Sequence, residues 1–249
     1  MIHRKKLTFA SMANIRFFLD YLTHFVAAKT RHGVHSPFVY RLVDEVIYDF
    51  SPKQYDAAIE RRRKQLYRYD RAIVKNALPT PRVVQLLARL SAHFEPANMV
   101  VIGDCMGIAT AYLAKACPAS HLYAIEEGQT ALLAEETFEQ LQLSNINLSV
   151  GEPNSTLARL LNDLGTLDLL FINGHHDYEA NMCYLSEALN YVNDHSVIIY
   201  VDIYWNDDMK KTWETIKAHP KVNLTIDLFY MGLIFLKKGR EEEHFKIRF

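Results

Sequence analysis

From Asn98 onward, seven short apolar segments are separated by stretches of a different period. Strand character reads at 99–103, 121–126, 145–150, 167–173, 196–202, 223–229 and 232–237. Helix character fills the gaps between the first six, at about 107–117, 129–142, 154–164, 179–192 and 207–219. Strands that regularly take turns with helices of this length predict a mostly parallel sheet, because parallel neighbours need a crossover and the crossovers cover both faces. The last two segments, NLTIDLF and GLIFLKK, are separated only by Tyr230 and Met231. So short a link cannot cross over, so the final pair is expected to be an antiparallel hairpin. The fold expected is α/β, with a seven-stranded Rossmann-like sheet.

Residues 1–95 read differently. In MANIRFFLDYLTHFVAA, Ile15, Phe18, Leu19, Leu22, Phe25 and Val26 recur with a helical period. HSPFVYRLVDEVIYDF offers Ser36 as a cap and Pro37 at the first helical position, with Phe38, Leu42 and Val46 as the apolar stripe. AIERRRKQLYRYDRAIVKNAL is basic and helical or partly loose, and TPRVVQLLARLSAHF is a further amphipathic helix. We therefore divide the chain into a helical cap or lid region, 1–95, and a sheet domain, 96–249. A length of 249 residues suits one large domain with such an appendage.

Charge follows the same division. Residues 1–90 hold 17 Lys/Arg against 7 Asp/Glu, and residues 91–249 hold 11 against 22. A basic helical segment packed across an acidic domain of the same chain explains this without a polyanionic partner, and a chain of net charge −1 has weak long-range attraction for nucleic acid. The ERRRK run is expected to be a solvated helix face, with closure over an anionic substrate as the functional alternative. No apolar run reaches the length of a membrane span. The basic start is interrupted by Arg16, Asp20 and His24, unlike a secretory leader. Three widely spaced cysteines fit a reducing, cytoplasmic setting.

In an open parallel sheet, ligands bind beyond the carboxyl ends of the strands. The first strand runs into Gly103, Asp104, Cys105, Met106 and Gly107, a strand–glycine–helix turn whose middle is bulkier than a nucleotide loop usually is. Glu126 ends the second strand, 23 positions past Gly103, where an acid can accept both ribose hydroxyls of an adenosine. Glu126 and Glu127 are alternatively plain helix-start carboxylates. Later strands end on Gly151-Glu152-Pro153, on Asn173-Gly174-His175-His176-Asp177, and on Asp202-Ile203-Tyr204-Trp205-Asn206. Asp202 is either a site residue or a cap for the next helix. Tyr204 and Trp205 are packing residues or a stacking platform, and His32 and His35 suit helix-entry hydrogen bonds.

These strand ends and this outline resemble class I S-adenosylmethionine-dependent methyltransferases, over residues 99–238. LDLLFINGHHDYEAN is similar to that family's D-x-x-F-I-D-G-x-H-x-Y-E segment, and IIYVDIYWNDDM to its strand ending in Asp. RHGVHSPFVYRLV and VDIYWNDDMKKTWETI resemble a methyltransferase-like subgroup from Bacteroidetes. The resemblance implies S-adenosylmethionine as cofactor, bordered by Gly103, Asp104, Gly107, Glu126 and Asn173, with Glu152 near the adenine edge. It implies a small-molecule substrate, methylated at oxygen, with His176 or Asp202 as base, and it allows a homodimer through the N-terminal helices. The chain departs from the family where an acid is common at Val101, where the glycine loop reads GDCMG, and where Asn173 replaces an aspartate. Those departures leave a second reading, a methyltransferase-like fold that now binds a partner or another ligand. A dehydrogenase fits the hairpin and the GDCMG turn poorly. The cation-dependent, catechol-type branch uses Asp, Asp and Asn; here the matching positions are Asn173, Asp202 and Ile203, so no catalytic metal is expected.

Overall fold

The computed structural model describes residues 9–68, 78–103, 106–174, 176–237 and 241–249. Eight strands form one sheet: β1 (Asn98–Ile102), β2 (His121–Glu126), β3 (Ile146–Val150), β4 (Leu169–Ile172), β5 (Val197–Val201), β6 (Leu224–Asp227), β7 (Met231–Phe235) and β8 (Glu243–Lys246). Their order is β3-β2-β1-β4-β5-β7-β6-β8. The chain leaves β1 first to one side and later to the other, so the strand order reverses between β1 and β4, where a crevice opens. The pairs among β1 to β5 are parallel, whereas β7 runs antiparallel to both β5 and β6. The expected hairpin is present, but its turn lies at 228–230 and Met231 already belongs to β7, whose carbonyl accepts from the Leu228 N–H at 2.9 Å.

The sequence expectation of seven strands is one short. β8 pairs in parallel with β6 at the sheet edge, and Lys29 then bridges to Ile247 beyond it. The segment EHFK is charged and partly exposed, as edge strands are, and carries no apolar alternation by which to find it.

Alternate residues of each central strand enter opposite layers. Met99, Val101, Leu169, Phe171, Val197 and Ile199 face one core, and Val100, Ile102, Leu170, Ile172, Ile198 and Tyr200 face the other. The first core is closed by α2 (Pro37–Leu42), a single π turn at Val43–Ile47, α3 (Asp56–Leu66), α4 (Pro81–Phe94) and α5 (Ile108–Ala116). The second is closed by α7 (Pro153–Leu164), α8 (Tyr178–Ala188) and α9 (Asp207–Lys217). Between them in sequence, α6 (Gly128–Gln140) packs Ala134 and Phe138 on Ala124. Ser36 stands at the start of α2 without a side-chain capping bond, and Pro37 alone marks that start.

The ERRRK run is not a solvated face. Arg62 and Arg63 are buried at 3% and 4% exposure. Arg62 donates to Thr137 Oγ1 at 3.0 Å and pairs with Glu136 at 3.1 Å, so part of the basic segment is held against the acidic half. Arg63 pairs with Glu60 and donates to the Pro79 carbonyl.

The first helix, α1 (Phe9–Ala27), turns an unexpected side to the body. Phe17 and Tyr21 meet Phe229, and His24 is buried, whereas Ile15, Phe18, Leu19, Leu22, Phe25 and Val26 are exposed. Among the described residues, no helix is long and apolar enough to cross a membrane.

Candidate active site

At the β1/β4 crevice the two chain segments touch. Gly103 adopts φ +69°, and a Cβ built there would stand 1.9 Å from the Asn173 carbonyl oxygen. The Asn173 N–H donates to the Ile102 carbonyl at 2.9 Å, and its side-chain Nδ2 donates to the Gly103 carbonyl at 3.1 Å. Asn173 therefore fastens the β1 turn through a donor. An aspartate in its place would set a carboxylate against a carbonyl oxygen, which gives this departure from the methyltransferase pattern a physical reason.

The second half of the turn is also built tightly. A Cβ on Gly107 would lie 2.6 Å from the Phe138 ring, so glycine lets α5 approach α6. Met106 has φ +81° and is buried at 1% exposure, turned into the core rather than into the loop mouth. Val101 is wholly buried on the same face, where a carboxylate would lie in an apolar core. Asp104, Cys105 and His175 lie outside the described residues, and with them the expected cofactor role of Asp104.

Next along the edge, Glu126 closes β2 at 2% exposure and its Oε2 accepts from Thr130 Oγ1 at 3.1 Å. The carboxylate thus stands over the first turn of α6, and the backbone of β2 runs beside Gly103, whose N–H donates to the Ile125 carbonyl at 3.2 Å. Glu152 follows the end of β3. It caps α7, accepting from the N–H groups of Asn154 and Ser155 at 2.8 Å each, and these bonds hold its carboxyl below the usual carboxylate range.

On the far side of β4, His176 and Asp202 come together, with Nε2 3.5 Å from Oδ2. One contact holds the ring of His176 and two more fix its backbone. Its ring stacks on Trp205, centroids 5.0 Å apart and planes at 20°; its carbonyl accepts from Asn206 Nδ2 at 2.8 Å; and Asn206 itself caps α9 through the Met209 N–H. Asn206 rather than Asp202 is therefore the cap. Asp202 sits at φ +58°, held there by its own N–H donating to the Tyr230 carbonyl and by accepting from the Trp205 N–H, both at 2.8 Å. A non-glycine residue kept in that region is strained, and such strain gathers at functional sites.

α1 reaches the same place. Arg16 pairs with Asp207 at 2.7 Å and donates to the Trp205 carbonyl at 3.3 Å, and Asp20 pairs with Lys210. Arg16 and Asp20, which in the sequence only interrupt the basic start, find these partners nearly two hundred positions away. Ile203 is buried at 1% exposure and supplies no oxygen. Among the described residues, no group of three His, Cys, Asp or Glu side chains is arranged to hold a metal ion.

Residues 100–203 match the sequence model of a methyltransferase domain. No curated protein matches the chain. Among solved structures, the chain is similar to an O-methyltransferase from Bacillus cereus in complex with S-adenosylhomocysteine, at 19% identity and TM-score 0.60, over 77% of this chain and 95% of that one. It is similar to an S-adenosylhomocysteine-bound methyltransferase from Podospora anserina, at 13% identity and TM-score 0.66, over 82% and 97%. A third is an O-methyltransferase of tomaymycin synthesis from Streptomyces achromogenes in complex with S-adenosylmethionine, at 15% identity and TM-score 0.59, over 80% and 95%. At these identities the likeness is one of fold.

Proposed function

We propose that the chain is an S-adenosylmethionine-dependent methyltransferase that methylates a small molecule at oxygen. The observation that carries this is the gathering, along one sheet edge, of the Gly103–Asn173 cradle, the buried Glu126 and the His176–Asp202 pair. The match of residues 100–203 to a methyltransferase domain supports it, as do the relatives of this fold crystallised with the cofactor or its product. The finer placement with the Bacteroidetes subgroup rests on the RHGVHSPFVYRLV and VDIYWNDDMKKTWETI segments.

The cradle suits the group. Backbone approaches backbone at Gly103 with no side chain between, which keeps the crevice at the end of β1 clear, and Glu126 offers a carboxylate for ribose hydroxyls. Gly103, Asp104, Gly107, Glu126 and Asn173 would hold the cofactor. Glu152 serves the adenine side through the loop it braces. When bound, S-adenosylmethionine supplies a methyl group activated on a sulfonium. The chain's own part is positioning and proton removal. His176, held face-on by Trp205, takes the proton of the acceptor hydroxyl, and Asp202 orients the ring and balances the charge it gains. Residues 1–95 act as the cap, α1 leaning on Trp205 and Asp207 at the acceptor side. A cytoplasmic location belongs to the same reading, supported by Cys117 and Cys183 as free thiols.

Calorimetry with S-adenosylhomocysteine tests the assignment. The wild-type chain is expected to bind saturably and Glu126→Gln at least tenfold more weakly. His176→Ala should bind as wild type but lose about 10²–10³ in kcat on an accepted substrate, the scale of a general base. A wild-type chain that binds no S-adenosylhomocysteine would favour the alternative, a methyltransferase-like binding module.

The exposed stripe of α1 supports a homodimer through the N-terminal helices, since Phe18 and Leu19 at 58% and 56% exposure are costly to leave in water. Phe18→Glu with Leu22→Lys is expected to convert a dimer to a monomer in sedimentation. A wild-type chain that sediments as a monomer at high concentration removes this part of the reading.

A further inference from the structure

A cavity of about 640 Å³ lies at the carboxyl ends of β6 and β8, and neither His176 nor Asp202 lines it. That volume lies within the range of small-molecule sites. Its wall is aromatic, from Tyr21, Phe25, Tyr48, Phe50, Phe229 and Phe249, and Arg31, Arg82 and Arg248 open into it. Among its described lining residues there is no Asp or Glu side chain.

Two of the three arginines, Arg82 and Arg248, are not used up by the fold. Arg31 pairs with Asp44 at 2.6 Å, outside the lining. Arg248 donates Nε to the Phe25 carbonyl at 3.0 Å, with its guanidinium carbon 4.3 Å from the Phe25 ring centroid. Arg82 lies 4.4 Å from the Phe249 centroid and 5.2 Å from that of Phe50. Among the described residues, neither Arg82 nor Arg248 has a carboxylate within salt-bridge distance. A guanidinium laid on an aromatic face keeps its N–H edge for a planar or tetrahedral oxyanion. All three line the one cavity beside Tyr48, whose hydroxyl pKa is raised by burial and lowered by Arg248, Arg31 and Arg82.

We propose that this cavity binds an aryl phosphate, the ring lying against Phe50 and Phe249 and the phosphate meeting the guanidinium edges of Arg82 and Arg248. Two guanidiniums without a carboxylate partner favour a dianion over a monoanionic carboxylate. The site is independent of methyl transfer and does not rest on the cofactor assignment.

Titration of the full chain with phenyl phosphate, followed by calorimetry, tests this. Wild type is expected to saturate, with inorganic phosphate, phenol and benzoate each at least tenfold weaker. Arg82→Gln and Arg248→Gln should each weaken phenyl phosphate about tenfold, the loss expected for one charge-assisted hydrogen bond. Their melting temperatures and S-adenosylhomocysteine binding should match wild type, which separates this site from the active site. Absence of saturation in the wild type, or wild-type affinity in the double variant, overturns the proposal. Benzoate or inorganic phosphate binding as tightly as phenyl phosphate overturns the aryl phosphate assignment.

Discussion

Gly103→Ala should cost at least a hundredfold in S-adenosylhomocysteine affinity and about 3–5 kcal/mol in stability, the range of severe single substitutions. Two penalties combine there. A side chain at φ +69° pays about 1–2 kcal/mol for the left-handed conformation. The larger penalty is steric, because the new methyl group would stand 1.9 Å from the Asn173 backbone oxygen. Backbone cannot swing aside as a side-chain tip can, so β1 and β4 must part at their carboxyl ends, and the Asn173 Nδ2 bond to the Gly103 carbonyl is lost with them. Gly128 supplies the control. It too has positive φ, +57°, but a Cβ there meets nothing within 4 Å. Gly128→Ala should therefore pay the conformational penalty alone, about 1–2 kcal/mol, and keep most of the affinity. If the two variants bind and melt alike, the close approach of Gly103 to Asn173 has no part in building the site.

The same crevice shows what a sequence can and cannot carry. The alternation of strands and helices is written locally, in residues a few positions apart, and the strand-end rule then pointed to Glu126, Asn173, His176 and Asp202. The structure brings His176 beside Asp202 and Asn173 beside Gly103. What was not legible depends on partners far along the chain. Arg62 looks like part of a solvated run until Thr137, 75 positions on, is seen to receive it. In α1 the periodicity marks Ile15-Phe18-Leu22-Phe25, yet it is Phe17-Tyr21-His24 that finds the body. The choice is made by Phe229, two hundred residues later, held at φ +69° so that its ring meets Phe17, Tyr21 and Tyr204 together. β8 is hidden for another reason: an edge strand gains its order from β6 through backbone bonds, which leave little trace in side-chain pattern.

The choice of α1's inner face also buries a charge, and this gives the largest stability effect expected away from the crevice. His24 Nε2 lies 3.0 Å from Asp227 Oδ1, both side chains 3% exposed. Asp227 also accepts from the Tyr204 hydroxyl at 2.7 Å and from the Phe229 N–H at 2.9 Å. His24→Ala removes one partner of a buried pair and leaves the other in a dry site, a change that costs about 3–5 kcal/mol. For a chain of this size that corresponds to a fall of roughly 10 °C in melting temperature. The pH dependence has a definite sign. Burial alone would raise the Asp227 pKa, but the hydrogen bond and charge of His24, with the Tyr204 and Phe229 donors, bring it below the ordinary aspartate value. A carboxyl more acidic folded than unfolded stabilises the fold above the unfolded pKa, about 3.9, and loses that contribution as pH falls through the folded value. Urea melts from pH 3 to 6 should therefore show wild-type stability rising with pH across the acid end, with a shallower slope in Asp227→Asn. A His24→Ala chain within about 1 kcal/mol of wild type would mean that the apolar packing of Phe17 and Tyr21 on Phe229 fixes α1 without the His24–Asp227 contact.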